Sequence, residues 1–455
     1  MPVTENQPRG TWNTKLGFIL AAAGSAVGLG NIWGFPTQVA DNGGAAFILI
    51  YLVCCLTVGF PLMIAEFTIG RKTQKNPVGA FEALGGGSRI APFIGYWGVL
   101  CGVMILSFYL VISGWTLGYV LEEIFYFFGY EAFAATMGDL GHGPKNAFFA
   151  IIFMIFTVTI ITGGVSQGIE RATKALMPVL FILLISLIVY IFTLEGSMEG
   201  LTMYVKPDFS TIDGSLILSA LGQAFFSLSL GMGALITYGS YLNKEQNLIE
   251  SAALVTVTDI AIAVIAGLLI IPAMFVAQFG GTEIFDPETG ALYSSATLVF
   301  DVLPELFHQI SGFPGMLIGI TFFILLGLAA LTSSISLLEV PVSYVIDEFD
   351  IRRKKAAWLV GGLVTLISIA ISFETSLIDL FVYIFNEIGL PLGGLMICLF
   401  LGYFWKTENA LMEISNGFED VEQHWIAGWW VVFIKYICPV LIGLVLITTI
   451  LNILS

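Results

Sequence analysis

Glycines interrupt two long apolar stretches at matched positions. In "AAAGSAVGLGNIWGFP", residues 21–36, Gly28 and Gly30 fall within an apolar run that ends in Pro36; in "QAFFSLSLGMGALITYG", residues 223–239, Gly231 and Gly233 fall at the same depth of another. Each interior glycine costs a helix about 1 kcal/mol relative to alanine, and each unpaired backbone group in hydrocarbon costs several kcal/mol more. Such a break is useful if the freed groups bind something. Unwound carbonyls can coordinate cations, while the N–H groups opening the next half-helix present a positive dipole end to an anion. The competing reading is close helix packing through small residues, which the spacing of Gly24 and Gly28 also fits.

Such breaks need membrane-spanning elements to hold them. The chain is 57% hydrophobic and 11% charged, against roughly 25% charged in a soluble domain, so the expected class is an all-α polytopic membrane protein. No basic leader with a small-residue cleavage site precedes the first apolar run, and the N-terminus is expected to be retained. Segments of about 20 apolar residues can cross the hydrocarbon. They occur near 15–38, 43–70, 90–121, 146–165, 174–194, 214–241, 251–279, 314–346, 356–373, 378–405 and 427–453, eleven in all. The broken spans are the first and the sixth, and an odd interval of five reverses the direction of crossing. Two inverted halves with glycine-interrupted spans in corresponding places point to a transporter with a midplane binding site.

Fourteen of the seventeen basic residues, among them Arg71, Lys72, Arg171, Lys174 and the run Arg352 to Lys355, fall on one side if the N-terminus is inside. Cytoplasmic loops collect Lys and Arg, so the N-terminus is placed in the cytoplasm, the C-terminus outside, and the chain in the inner (plasma) membrane. The organisation expected is a cytoplasmic gate segment at 1–14, a first repeat at 15–194, an outer loop and second repeat at 195–405, and an inner loop with the last span at 406–455.

The net charge of -16 does not imply a nucleic-acid partner. Glu122, Glu123, Glu131, Asp139, Glu283, Asp286 and Glu288 in outer loops, and the acids between Glu408 and Glu422, read as solvated loop surface. Cys54, Cys55, Cys101, Cys398 and Cys438 lie in spans and read as small buried hydrophobes. His142, His308 and His424 lie far apart without ligand spacing and read as structural. Ser113-Gly114 has no buried His or Lys to activate the serine, so an enzyme is not expected.

The stretches "GSAVGLGNIWGFP", "ADNGGAAF", "GFPLMIAEFTIGR", "GQAFFSLSLGMG" and "LTSSISLLEVPVSYVIDE" resemble the signatures of the neurotransmitter:sodium symporters, whose bacterial members include LeuT. The resemblance runs from about Arg9 to the end of the tenth span. It implies the LeuT fold, a 5+5 inverted repeat with broken helices 1 and 6, here with one extra helix, and Na+-coupled uptake of an amino acid by alternating access. The partners it implies are a small amino acid and the lipid bilayer.

Carried over by motif position, one Na+ site would use Ala26, Asn31, Ser227 and Asp259, completed by the substrate carboxylate. A second Na+ site would use Gly24, Val27, Ala329, Thr332 and Ser333. Read without the motif, the hydroxyls of Thr332 and Ser333 bond back to their own helix. The backbone at Leu29 and Gly30, with Tyr109, would hold the substrate carboxylate, and carbonyls near Phe226 and Ser229 its amino group. Ser25, Ile105, Phe226, Met232, Ser336 and Leu337 would line the side-chain pocket. Gly28 stands where monoamine transporters carry an aspartate, which favours an α-amino acid bringing its own carboxylate. The pocket residues favour a neutral hydrophobic L-amino acid, with glycine, GABA or a compatible solute as the alternative and an ion channel as the alternative from another class.

The resemblance also implies gates. Arg9, Trp12, Tyr241 and Asp347 match the cytoplasmic lock. Asp379 matches the acidic half of the outer pair, but Gly34 stands where the family usually has arginine. Glu66 would support the broken backbone of the sixth span, Glu387 has no role by motif, and Lys435 reads as a snorkelling residue. Animal members of the family depend on chloride, held among positions matching Tyr51, Gln223, Ser227 and Ala263; here Asp259 is expected to replace it and to return protonated once the ions have left. Two Na+ moved through 100 mV supply about 4.6 kcal/mol, enough for roughly a thousandfold accumulation of a zwitterion.

Overall fold

The computed structural model describes residues 10–284, 298–310 and 312–454; Arg9, Asp286 and Glu288 lie outside the described residues. Among the described residues the protein is helical, without strands. The first crossing is two helices, α1 (Lys15–Ala26) and α2 (Gly30–Asp41), bent by 55° where the glycines fall. Then come α3 (Ala45–Thr73), α4 (Ala91–Phe127), α5 (Gly143–Thr162) and α6 (Val165–Ile191). The sixth crossing is again two pieces, α7 (Gly214–Ser227) and α8 (Ala234–Gly239). The remaining long helices are α9 (Leu248–Phe279), α10 (Phe313–Phe349), α11 (Arg353–Phe373), α12 (Ser376–Phe404) and α13 (Trp425–Leu451).

Nine of the described helices are long and apolar enough to span a membrane, and the α1–α2 pair makes a tenth. At 14 and 6 residues, α7 and α8 are each too short to span alone. Their combined helical rise is about 30 Å, the hydrocarbon thickness, so they serve as one broken crossing.

The breaks are held at the centre. α1 packs against α6, α9 and α10, α8 against α3, and α4 against α10 along its length. "AAAG", residues 21–24 of α1, is fully enclosed, because small side chains let neighbouring helices approach closely. In contrast, only 28% of the apolar windows of α6 and α13 is buried, leaving apolar side chains such as Ile182 and Val440 exposed for lipid to cover.

Two expectations about charge fail. α4 continues to Phe127, six residues beyond the expected end of the third span at 121, so Glu122 and Glu123 are helical and buried rather than solvated loop residues. Glu413, read as inner-loop surface, is buried in a short helix, Thr407–Ile414, and pairs with the fully buried Arg71 at 3.0 Å. A buried carboxylate needs such a partner, since an isolated one is costly to desolvate. The five cysteines are free and buried, and His142 and His424 accept backbone N–H groups at the starts of α5 and α13.

Candidate functional site

The first break places its polar backbone toward α4, α9 and α10. Leu29 N–H donates to the Tyr109 hydroxyl at 3.1 Å, and Gly28 N–H to Asn31 Oδ1 at 3.0 Å. Gly28 has no room for a side chain, because a Cβ there would lie 2.3 Å from Ser333 Oγ and 2.8 Å from the Tyr109 hydroxyl. In the second break Ser229, Gly231 and Gly233 all take positive φ, a region glycine enters without steric cost. Gly231 N–H donates to Glu66 Oε1 at 2.8 Å, the support the sequence suggested for Glu66.

Between the breaks lies a cavity of about 20 Å³, room for about one water molecule. Eight of the ten expected substrate residues line it: Ser25, Gly30, Ile105, Tyr109, Phe226, Ser229, Met232 and Leu337. Leu29 does not line it; its amide donates to the hydroxyl of Tyr109, which does. Ser336 does not line it; its hydroxyl is turned back onto the Ser333 carbonyl at 2.9 Å. The Ser25 hydroxyl is buried without a hydrogen-bond partner. Leu390 of α12 also lines the cavity; it could not be singled out in the sequence, since an isolated leucine in an apolar span carries no signal.

Residues expected at the first Na+ site converge beside this cavity. Asp259 is fully buried on α9. Its carboxylate accepts from Asn31 Nδ2 at 2.7 Å, from Ser227 Oγ at 2.8 Å and from the Tyr51 hydroxyl at 3.4 Å, while Ala26 lines the cavity wall. The second expected group also gathers. Thr332 Oγ1 reaches the carbonyls of Ala329 at 2.9 Å and Val27 at 3.2 Å. Ser333 Oγ reaches those of Ser25 and Val27, both at 3.2 Å, so it bonds across to the first break and not along its own helix. Gly24 faces this group, with Thr332 Cβ 3.4 Å from where its own Cβ would be.

On the N-terminal side the path is shut. Trp12 is buried, its indole donating to the Tyr238 carbonyl at 3.0 Å, and its amide to the Tyr241 carbonyl at 3.3 Å. Glu170 holds Asn13 N–H at 2.7 Å and the Thr14 hydroxyl at 2.9 Å. Asp347 accepts from the backbone and side-chain nitrogens of Asn76 at 2.9 and 3.1 Å. Tyr241 donates to Glu339 at 2.6 Å, and Glu339 pairs with Arg353. Glu170 and Glu339 were missed because they meet Asn13, Thr14, Tyr241 and Arg353 only through the fold, across separations that spacing does not show. Toward the other end, Phe226 separates the central cavity from a vestibule of about 290 Å³ that it also lines. Glu387 lines that vestibule, whereas Asp379 is exposed and does not. A π-helical turn at Val382–Ile388 changes the register of α12 between them. Lys435 lies near the Tyr403 ring, 5.6 Å from its centre.

The model of the Sodium:neurotransmitter symporter family matches residues 9–136 and 122–455. An uncharacterized sodium-dependent transporter of Bacillus subtilis, YhdH, is 35% identical, covering 96% of this chain and 97% of that protein. A mouse sodium-dependent neutral amino acid transporter, B(0)AT2, is 28% identical over 58% of this chain and 40% of its own length. The structure of MhsT in complex with L-phenylalanine is similar with a TM-score of 0.83 and 42% identity, covering 97% of this chain and all of that one. The chain therefore belongs to the sodium:neurotransmitter symporter family, as a sodium-dependent membrane transporter with the LeuT fold.

Proposed function

We propose that the protein imports a neutral, hydrophobic L-amino acid together with two Na+, by alternating access and without chloride. The observation that carries the reading is the central cavity, where freed backbone of both breaks and the hydroxyls of Tyr109, Ser25 and Ser333 face an apolar wall of Ile105, Phe226, Met232, Leu337 and Leu390. The substrate's charged ends would meet that backbone, its carboxylate completing the Na+ site at Asp259. The phenylalanine bound to MhsT and the neutral amino acids named for B(0)AT2 support the substrate class. A cavity this small requires Phe226 and Met232 to move as the substrate enters, and methionine's flexible side chain suits that.

Asp259 supplies the negative charge that two Na+ and a zwitterion lack, reducing +2 to +1, and Ala263 offers no hydroxyl to a chloride ion. The basic residues support a plasma-membrane protein with its N-terminus in the cytoplasm and its C-terminus outside. The two broken crossings support repeats at 15–194 and 195–405, with the gate segment at 1–14 and the last span within 406–455. Competition of the twenty amino acids for Na+-dependent binding to purified protein tests the substrate class. Displacement by leucine, phenylalanine or tryptophan is the expected result; tight binding of glycine or glutamate, with no competition from those three, overturns it.

A further inference from the structure

Glu122 and Glu123 near the end of α4 and His308 in a short helix, Leu303–Gln309, bring three ligand atoms within 4.8 Å of one another. His308 Nε2 stands 3.3 Å from Glu122 Oε1 and 3.7 Å from Glu123 Oε2. Contact is not bonding here. His308 Nε2, Glu122 Oε2 and Glu123 Oε1 are buried with no hydrogen-bond partner, and the two glutamates are only 7% and 1% exposed. Adjacent residues on a helix do not share a face, yet both carboxylates turn to the imidazole. The surroundings fix that arrangement. The Tyr126 ring stacks on His308 at 3.5 Å and 9°. Gly319 of α10 gives Glu123 its place, since a Cβ there would lie 2.3 Å from the carboxylate.

An ion pair of protonated His308 with one glutamate leaves the second carboxylate buried and unpaired, which is costly. A divalent cation satisfies all three. One imidazole and two carboxylates are a donor set for zinc, whose tetrahedral bonds of about 2.0–2.2 Å place ligand atoms about 3.3–3.6 Å apart, against imidazole-to-carboxylate distances of 3.3 and 3.7 Å here. A cavity of about 170 Å³ borders Glu123 and His308 and gives access and room for a water ligand.

We propose that Glu122, Glu123 and His308 form a divalent transition-metal site, with donors that suit zinc, that staples the 303–309 helix to α4. The consequence follows from what leads into that helix. The Phe300 ring packs against Trp33 of α2 and Trp115 of α4, and its carbonyl accepts from the Tyr119 hydroxyl. A metal at the staple thus holds this segment over the outer half of the first broken span and resists its movement.

Zinc titration of the metal-stripped, detergent-purified full chain against a chromogenic chelator tests the site. The wild type is expected to bind one zinc per chain and to gain thermal stability with it. H308Q and E123Q should each weaken binding at least roughly tenfold, through loss of one of three protein ligands. H424Q, at the start of α13, should bind as the wild type does, and gel filtration of each variant reports folding independently of zinc. Absence of stoichiometric zinc in the wild type, or equal affinity in folded H308Q, overturns the proposal.

Discussion

Replacing Asp259 with asparagine removes one negative charge from the group formed by α2, α7 and α9 at almost constant side-chain size. The carboxylate accepts from Asn31, Ser227 and Tyr51. An amide has one accepting atom instead of two, and its nitrogen would face another donor. Hydrogen bonds to a charged group contribute about 1.5–3 kcal/mol, so loss of one such contact should weaken the Na+-dependent state by roughly 10- to 100-fold. The same change returns the core charge of the loaded state from +1 to +2. Ala263 lies one helical turn beyond Asp259, on the same face of α9, so D259N combined with A263S recreates a hydroxyl beside the missing charge and should make binding chloride-stimulated. The assay is amino-acid binding as Na+ is titrated in chloride or in gluconate. The wild type should be indifferent to the anion, D259N should need far more Na+, and the double variant should recover partly in chloride alone. Chloride-dependent binding by the wild type, or an unchanged Na+ requirement in D259N, would overturn the role given to Asp259.

Gly28→Ala should abolish substrate binding, because its Cβ would overlap Ser333 and Tyr109, whereas Gly34→Ala, whose Cβ would meet Gln223 at an ordinary 3.5 Å, should bind nearly as the wild type does; equal binding in both checks the packing argument and contradicts it. Asp347→Ala removes the acceptor for two Asn76 nitrogens and should shift the closed-to-open ratio of the inner path by about 1–3 kcal/mol, roughly 5- to 150-fold; faster labelling of cysteines placed along that path is the readout. Arg71→Leu removes the buried partner of Glu413 and leaves it only the part-exposed Lys72 at 3.4 Å; the melting temperature in detergent should fall, with Arg71→Leu/Glu413→Leu recovering most of the loss.

The breaks were legible because two glycines in mid-span conflict with the pattern around them, and a local conflict is visible in a linear sequence. Asn31, Tyr109, Ser227 and Asp259 could be named only because the motifs resemble a family, since nothing in their spacing says that four helices bring them together. Where neither signal operated, the reading failed. Glu122 and Glu123 look like the start of a polar loop, but α4 runs on and meets a histidine 185 residues later in the chain. Arg71 and Glu413 looked like surface charges because each flanks an apolar run, while their burial follows from a short helix folding back under α3. At the outer gate the motif itself pointed to Asp379, which is exposed, while Glu387, without a role by motif, lines the vestibule.

Uptake by purified protein in sealed vesicles tests coupled transport most directly, with an inward Na+ gradient, a potassium-diffusion potential negative inside and labelled phenylalanine or leucine outside. Accumulation well above the outside concentration is expected, with counterflow of label against unlabelled amino acid and collapse of both when Na+ is replaced by choline. Accumulation indifferent to Na+, or a Na+ conductance that proceeds without amino acid, would rule out coupled symport.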